Sequence, residues 1–167
     1  MILAIDVYYY EDSSAKSVGV LFNWEDEHPQ QIIVEEVQNV EEYIPGQFYK
    51  RELPCILAIL EKVNKMELEA VVVDGHVYVD NTEKPGLGAY LWEALQREVP
   101  VIGVAKKTFY ANQETTYSLL RGESKNPLYI SSVGMELDKA VDLIKNMKGK
   151  YRIPTIFKEL DQITKEK

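Results

Sequence analysis

The stretch Leu68-Glu69-Ala70-Val71-Val72-Val73-Asp74-Gly75-His76 decides how the rest of the chain is read. Four apolar residues, Ala70 to Val73, β-branched apart from the first, end at a carboxylate, a glycine and a histidine. This is the pattern of a buried parallel strand running out into a polar loop. Ligands of an open α/β sheet collect outside the carboxyl ends of its strands, so Asp74 marks a candidate mouth. The question becomes which other acids reach it.

Upstream, Ile2-Leu3-Ala4-Ile5 is another apolar strand, and it too runs into a carboxylate, Asp6, before Val7-Tyr8-Tyr9-Tyr10. Lys16 to Trp24, with Val18, Val20 and Phe22 alternating against their neighbours, and Gln30 to Val37 read as two more strands. Glu25-Asp26-Glu27-His28-Pro29 between them is a turn with a solvated histidine. Short strands on short connections predict an antiparallel meander. Tyr43-Ile44-Pro45-Gly46 predicts a turn. The spacing of Phe48, Leu53, Ile56, Leu57, Ile59, Leu60 and Val63 then predicts a helix, either starting near Glu52 with Pro54 in its first turn or running longer with a kink. On both versions Glu52 lies close to an N-terminal end, where the dipole favours a carboxylate.

Downstream, residues 79–86 form a polar loop and Leu87 to Val99 reads as a helix. Val101-Ile102-Gly103-Val104-Ala105 is a short strand ending at Lys106-Lys107. Phe109 to Arg121 is ambiguous, and Leu128-Tyr129-Ile130 reads as the last strand. Glu136 to Met147 and Pro154 to Thr164 read as closing helices, split by Gly149 and Pro154. The expectation is a single α/β domain over residues 1–167: a mixed sheet with three leading antiparallel strands, then alternating helices and strands, flanked by helices.

No apolar run approaches the roughly 20 residues that span a bilayer, and the start lacks the basic region and cleavage site of a signal peptide. A cytoplasmic protein with no membrane partner is expected. Cys55, the one cysteine, falls on an apolar helical position and reads as a small core hydrophobe. The net charge of −8 argues against a phosphate-binding partner when taken alone. Its distribution does not, because residues 1–100 carry 7 Lys+Arg against 19 Asp+Glu while residues 101–167 carry 12 against 8. A basic face on an acidic protein is therefore allowed.

Asp6, Glu52 and Asp74 occupy element ends that can converge, with Lys106 closing a neighbouring strand. Clustered carboxylates repel and raise one another's pKa unless a cation neutralises them, and oxygen-only ligands suit hard ions such as Mg²⁺ or Mn²⁺. An ion so held positions a hydrolytic water and stabilises a leaving oxygen.

The blocks around these residues add to that reading. Ile5-Asp6-Val7-Tyr8-Tyr9, Tyr43-Ile44-Pro45-Gly46 with Arg51-Glu52 and Pro54, Val73-Asp74-Gly75-His76, Ile102-Gly103-Val104-Ala105-Lys106-Lys107, Pro127-Leu128-Tyr129-Ile130-Ser131 and Tyr151-Arg152-Ile153-Pro154 follow one another along nearly the whole chain. In order and approximate spacing they resemble the endonuclease V family. The resemblance implies a ribonuclease H-like fold and Mg²⁺-dependent cleavage of a phosphodiester near deaminated bases, chiefly inosine, in DNA or RNA. It makes Asp6, Glu52 and Asp74 the metal-binding acids and Lys106 the lysine that meets a phosphate or the reacting centre. Tyr43, Ile44 and Pro45 match a wedge that parts the strands while the altered base turns out into a pocket. Gly75 and Gly103 would let backbone approach that base. His76 is grouped with the substrate-binding residues, although from the residues alone it reads as a loop histidine packed in the sheet mouth.

Two departures bear on activity. Asp80-Asn81-Thr82-Glu83-Lys84 stands where the family usually has a basic loop, and Ser132-Val133-Gly134-Met135 stands where it tends to carry a histidine near the metal. These keep open an alternative, a catalytically weak or inactive member that serves as a nucleic-acid or protein binding module.

Overall fold

The computed structural model describes residues 1–42, 44, 48–108 and 110–166. Strands β1 (Ile2–Tyr9), β2 (Ala15–Phe22) and β3 (Gln31–Val37) form the expected meander, followed by α1 (Phe48–Leu60), β4 (Ala70–Asp74), α2 (Leu87–Ala94) and β5 (Val101–Ala105). Then come β6 (Tyr117–Leu119), β7 (Leu128–Val133), α3 (Leu137–Lys145) and α4 (Thr155–Lys165). The seven strands make one mixed sheet in the order β3-β2-β1-β4-β5-β7-β6. β4 lies parallel to β1 and β5, and the other pairs are antiparallel.

Alternation along the central strands sends side chains into two separate cores. Ile2 and Ala4 of β1, Ala70 and Val72 of β4, and Ile102 of β5 pack with Ala140, Ile144, Ile156 and Leu160 of α3 and α4. Leu3, Ile5, Val71, Val73 and Val101 pack on the opposite face with Ile56, Ile59 and Leu60 of α1 and Leu91 of α2. Burial on both faces is why these strands are continuous apolar runs. Continuing the same alternation one step past each core puts Asp6, Asp74 and Lys106 on the α3/α4 face.

The second face is drawn tight by β2. A Cβ on Gly19 would lie 2.5 Å from Ile59 Cγ2, so only glycine lets α1 rest this close to the sheet. The buried Ser17 hydroxyl donates to the Cys55 carbonyl at 2.8 Å. Cys55 itself is fully buried, as a small core hydrophobe should be.

Several boundaries differ from the expected ones, and one open alternative closes. Asp6 lies inside β1, because pairing with β2 carries that strand through Tyr9 after its parallel pairing with β4 has ended at Ile5 opposite Val73. α1 is the longer version, with Pro54 inside it and no acid in its first turn. Glu52 is therefore a buried second-turn residue, and the dipole does not explain it. α2 stops at Ala94, where Gln96 and Arg97 take left-handed φ values of 57° and 61° and turn the chain. The ambiguous segment supplies the edge strand β6, and β7 extends through Val133.

Candidate active site

The carboxyl ends of β4 and β5, with the middle of β1 beside them where its pairing to β4 ends, open into a cavity of about 350 Å³ roofed by the link into α4 and by α4 itself. Asp6, Asp74 and Lys106 line it, above an apolar floor that includes Val72, Val104 and Leu128. A further acid reaches the same cavity from α4, Asp161, which the sequence reading did not single out. The signal was present: Phe157, Leu160, Asp161 and Thr164 share one stripe of the helix, and Asp161 is a lone carboxylate in it.

The electrostatics agree with convergence. Burial pushes the Asp6 carboxyl up to about 6, with the charges of Asp74 and Asp161 adding to the rise. The Val7 N–H, donating to Oδ1 at 2.9 Å, and the Lys106 ammonium pull it back. Asp74 opens to solvent at the mouth yet is walled by protein, and it too is raised, first by desolvation and then by Asp161. Lys106 and His76 oppose that rise.

Glu52 comes from the other side of the sheet. It is 5% exposed, and its Oε2 accepts a hydrogen bond from the Tyr9 hydroxyl at 2.7 Å. The Arg51 guanidinium lies 3.5 Å over the same tyrosine ring. Burial pushes the Glu52 carboxyl up to about 8, with Asp6 and Asp74 contributing, while Tyr9 and Arg51 act in the opposite sense. Glu52 thus feels both strand-end acids without lining their cavity. Among the described residues, no three His, Cys, Asp or Glu side chains are gathered closely enough to enclose an ion. The donor set nonetheless fits a hard divalent cation by its chemistry. It offers oxygen alone, from carboxylates that burial and mutual repulsion hold above their ordinary pKa.

The remaining expected residues divide. His76 is buried, and its Nε2–H donates to the Lys107 carbonyl at 2.8 Å, tying the loop after β4 to the end of β5. Desolvation lowers its pKa, opposed by that hydrogen bond and by Asp74. Gly75 has room for a close neighbour, with only Leu87 Cδ2 at 3.7 Å from a built Cβ. Gly103 does not. A Cβ there would meet the Gly75 carbonyl at 2.5 Å and Ser131 Oγ at 2.6 Å, so its open face is filled by the chain itself. Ser131 Oγ in turn accepts the Val77 N–H at 3.0 Å. Of the wedge, Ile44 is 51% exposed, while Tyr43 and Pro45 lie outside the described residues.

Both departures acquire a structural account. Asp80 Oδ1 accepts from Thr82 N, Thr82 Oγ1 and Lys84 N at 2.9, 2.8 and 3.0 Å, so the acid-bearing loop is a turn closed on itself. Met135 packs against the α3/α4 core and accepts the Ser132 hydroxyl at its carbonyl, 2.8 Å away. The acid that faces Asp6 and Asp74 arrives instead one helix later, as Asp161.

A mixed sheet of this order, with acids at the ends of its central parallel strands, is of the ribonuclease H-like class. The chain belongs to the endonuclease V family, whose profile matches residues 1–162. It is 28% identical over 144 residues to the endonuclease V of Nostoc punctiforme, covering 75% of this chain and 63% of that one. The endonuclease V of Methanothrix thermoacetophila is 27% identical over 164 residues, 87% of this chain and 71% of that one. The chain therefore spans just under two thirds of the length of the Nostoc relative. The fold of human ENDOV superposes with a TM-score of 0.77 at 23% identity, covering 98% of this chain and 82% of that one. That of Ciona intestinalis endonuclease V, solved with a DNA containing an inosine followed by a ribo-adenosine, gives 0.81 at 18%, covering 98% and 83%. Among the described residues no helix is long and apolar enough to cross a membrane.

Proposed function

We propose that the chain is a metal-dependent endonuclease that cleaves a phosphodiester near a deaminated base, inosine foremost, in DNA or RNA, its 167 residues acting as one domain. The observation that carries this reading is the meeting of Asp6, Asp74 and Lys106 in one cavity at the ends of adjacent strands. The family supports it, and so does the inosine-containing DNA bound by the Ciona relative.

Asp6 and Asp74 would hold Mg²⁺ or Mn²⁺, with Asp161 offering oxygen from α4 and Glu52 from α1. When bound, such an ion lowers the pKa of a water and neutralises charge on the reacting phosphate. The chain's own residues do the rest. Lys106 is placed to receive a non-bridging phosphate oxygen, and by lowering the pKa of Asp6 and Asp74 it helps keep both ionised. Tyr9 fixes the Glu52 carboxylate in one direction. His76, held by the Lys107 carbonyl, keeps Gly75 beside the mouth, where a base edge can approach backbone. Tyr43, Ile44 and Pro45 are assigned to part the strands, and the exposure of Ile44 suits that role.

A nicking assay on inosine-containing DNA and RNA, with Mg²⁺ and with Mn²⁺, tests the proposal. Cleavage by the intact protein that disappears in Asp6→Asn and Asp74→Asn is expected. No cleavage of either substrate in either metal at high enzyme concentration would refute it.

A further inference from the structure

We propose that Tyr151 is a stacking platform for one base of the bound strand, with Lys150 and Lys158 receiving the adjoining phosphates. This rests on the strand-cleaving reading above and adds a contact that reading does not contain.

Residues 145–158 hold five cations, Lys145, Lys148, Lys150, Arg152 and Lys158, and no acid, in a chain whose net charge is −8. They form the link from α3 into the first turn of α4, and all four lysines are exposed. In their midst Tyr151 is 62% exposed, with Lys150 Nζ 5.4 Å and Lys158 Nζ 5.8 Å from its ring centre. Tyr151, Arg152 and Lys158 also line the cavity that contains Asp6, Asp74 and Asp161. The ring stands on the rim of the site where the phosphodiester would lie.

An exposed aromatic on a loose loop would mean little, but this backbone is clamped. Arg121 is 6% exposed and spends its guanidinium on carbonyls of this link. Nη1 donates to Tyr151 at 2.7 Å and Arg152 at 3.2 Å, and Nη2 to Met147 at 2.7 Å and Gly149 at 3.0 Å. Arg152 Nη2 donates to the Lys106 carbonyl at 2.9 Å and the Pro127 carbonyl at 2.7 Å, which joins the link to the end of β5. The ring is thus mounted on backbone fixed relative to the acids and to Lys106.

A preorganised aromatic beside mobile ammonium groups is the arrangement that holds single-stranded nucleic acid. Every base has a face to stack, and lysines follow the phosphates. It also answers the loss of cations from Asp80 to Glu83. Asp80 closes that loop on its own amides, and the positive ground lies in the link into α4 instead, on the cavity's lining.

The test is binding, in chelator and therefore without cleavage, of a short fluorescein-labelled single-stranded oligonucleotide lacking inosine. Tyr151→Ala is expected to weaken binding about tenfold and Tyr151→Phe by no more than about twofold. Replacing Lys150 and Lys158 together by Gln should flatten the slope of log affinity against log salt by about 1.4, the value for two single-strand phosphates. A strand of the same length with every base removed should cost the wild type about tenfold in affinity and cost Tyr151→Ala much less. Wild-type affinity in Tyr151→Ala, the same abasic penalty in both proteins, or no binding by the wild type would each overturn the proposal. Tyr151-dependent binding without cleavage of inosine strands would leave the platform standing and sink the endonuclease reading. Cleavage indifferent to Tyr151 would do the reverse.

Discussion

Glu52 offers the sharpest quantitative test, because its burial makes the metal-free protein take up a proton on folding rather than hold a charge it cannot solvate. Folding raises its carboxyl from the ordinary 4.5 to about 8, so the folded chain binds a proton that the unfolded chain has released between those values. Its contribution to stability is therefore intact below pH 4.5 and is lost progressively as pH rises towards 8. At pH 7 the loss is 2.5 pH units, about 3 kcal/mol at about 1.36 kcal/mol per unit, the upper end for a group this enclosed. Glu52→Gln keeps the shape and still accepts the Tyr9 hydroxyl, but carries no charge to desolvate. In chelator at pH 7 the variant should melt higher than the wild type by about 6–12 °C, at about 2–4 °C per kcal/mol for a chain of this size. The gap should close as pH falls towards 4.5. Adding Mn²⁺ should also close it, because an ion raises the wild type more than the variant. Thermal unfolding followed by circular dichroism across pH 5 to 8 reads all three. A gap that does not change with pH, or a variant less stable than the wild type in chelator, would refute the reasoning.

Tyr9→Phe removes the donor to Glu52, and the metal-free protein should lose about 1 kcal/mol in urea unfolding at pH 7. Lys106→Met takes away the cation that lowers the pKa of both Asp6 and Asp74. The acid limb of the pH–rate profile for cleavage should move to higher pH as kcat falls. Gly103→Ala would drive a methyl into the Gly75 carbonyl and Ser131 Oγ, and a loss of about 1–3 kcal/mol is expected by chemical denaturation. Pro54→Ala restores an N–H facing the Lys50 carbonyl inside α1, and should raise the melting temperature with the sheet unchanged.

The parts of the site that lay on strands were readable, because a doubly buried strand announces itself and fixes which way each following side chain points. Asp6, Asp74 and Lys106 follow apolar runs by a whole number of alternations, so they share a face. The parts delivered by helices were less so. Pro54 is compatible with a helix start or a helix interior, and the apolar period, with Ile59 packed beside Gly19 on either version, does not choose between them. Asp161 does not stand out in the sequence because an acid on an amphipathic helix is ordinarily solvated, and its place in the apolar stripe matters only once α4 is known to line the cavity. Gly103 suggests an approaching base only because a glycine in sequence reports that something comes close and not what. The neighbour is the chain's own Gly75 carbonyl. β6 has three residues and is held by β7 alone, too little for any period to show.

Glu52 and Asp161 each bring a carboxylate close enough to act on the charge of Asp6 and Asp74, from opposite sides of the sheet, one on α1 and one on α4. The full set of carboxylates therefore exists only when both helical layers have docked. A nascent or partly unfolded chain carries all the acids and assembles none of them. An ion that needs the whole set binds the finished protein alone, adding stability in proportion to the logarithm of its concentration over its Kd. For the endonuclease proposed above, the same arrangement would be a safety catch, withholding cutting power from every incompletely folded copy until the last layer closes.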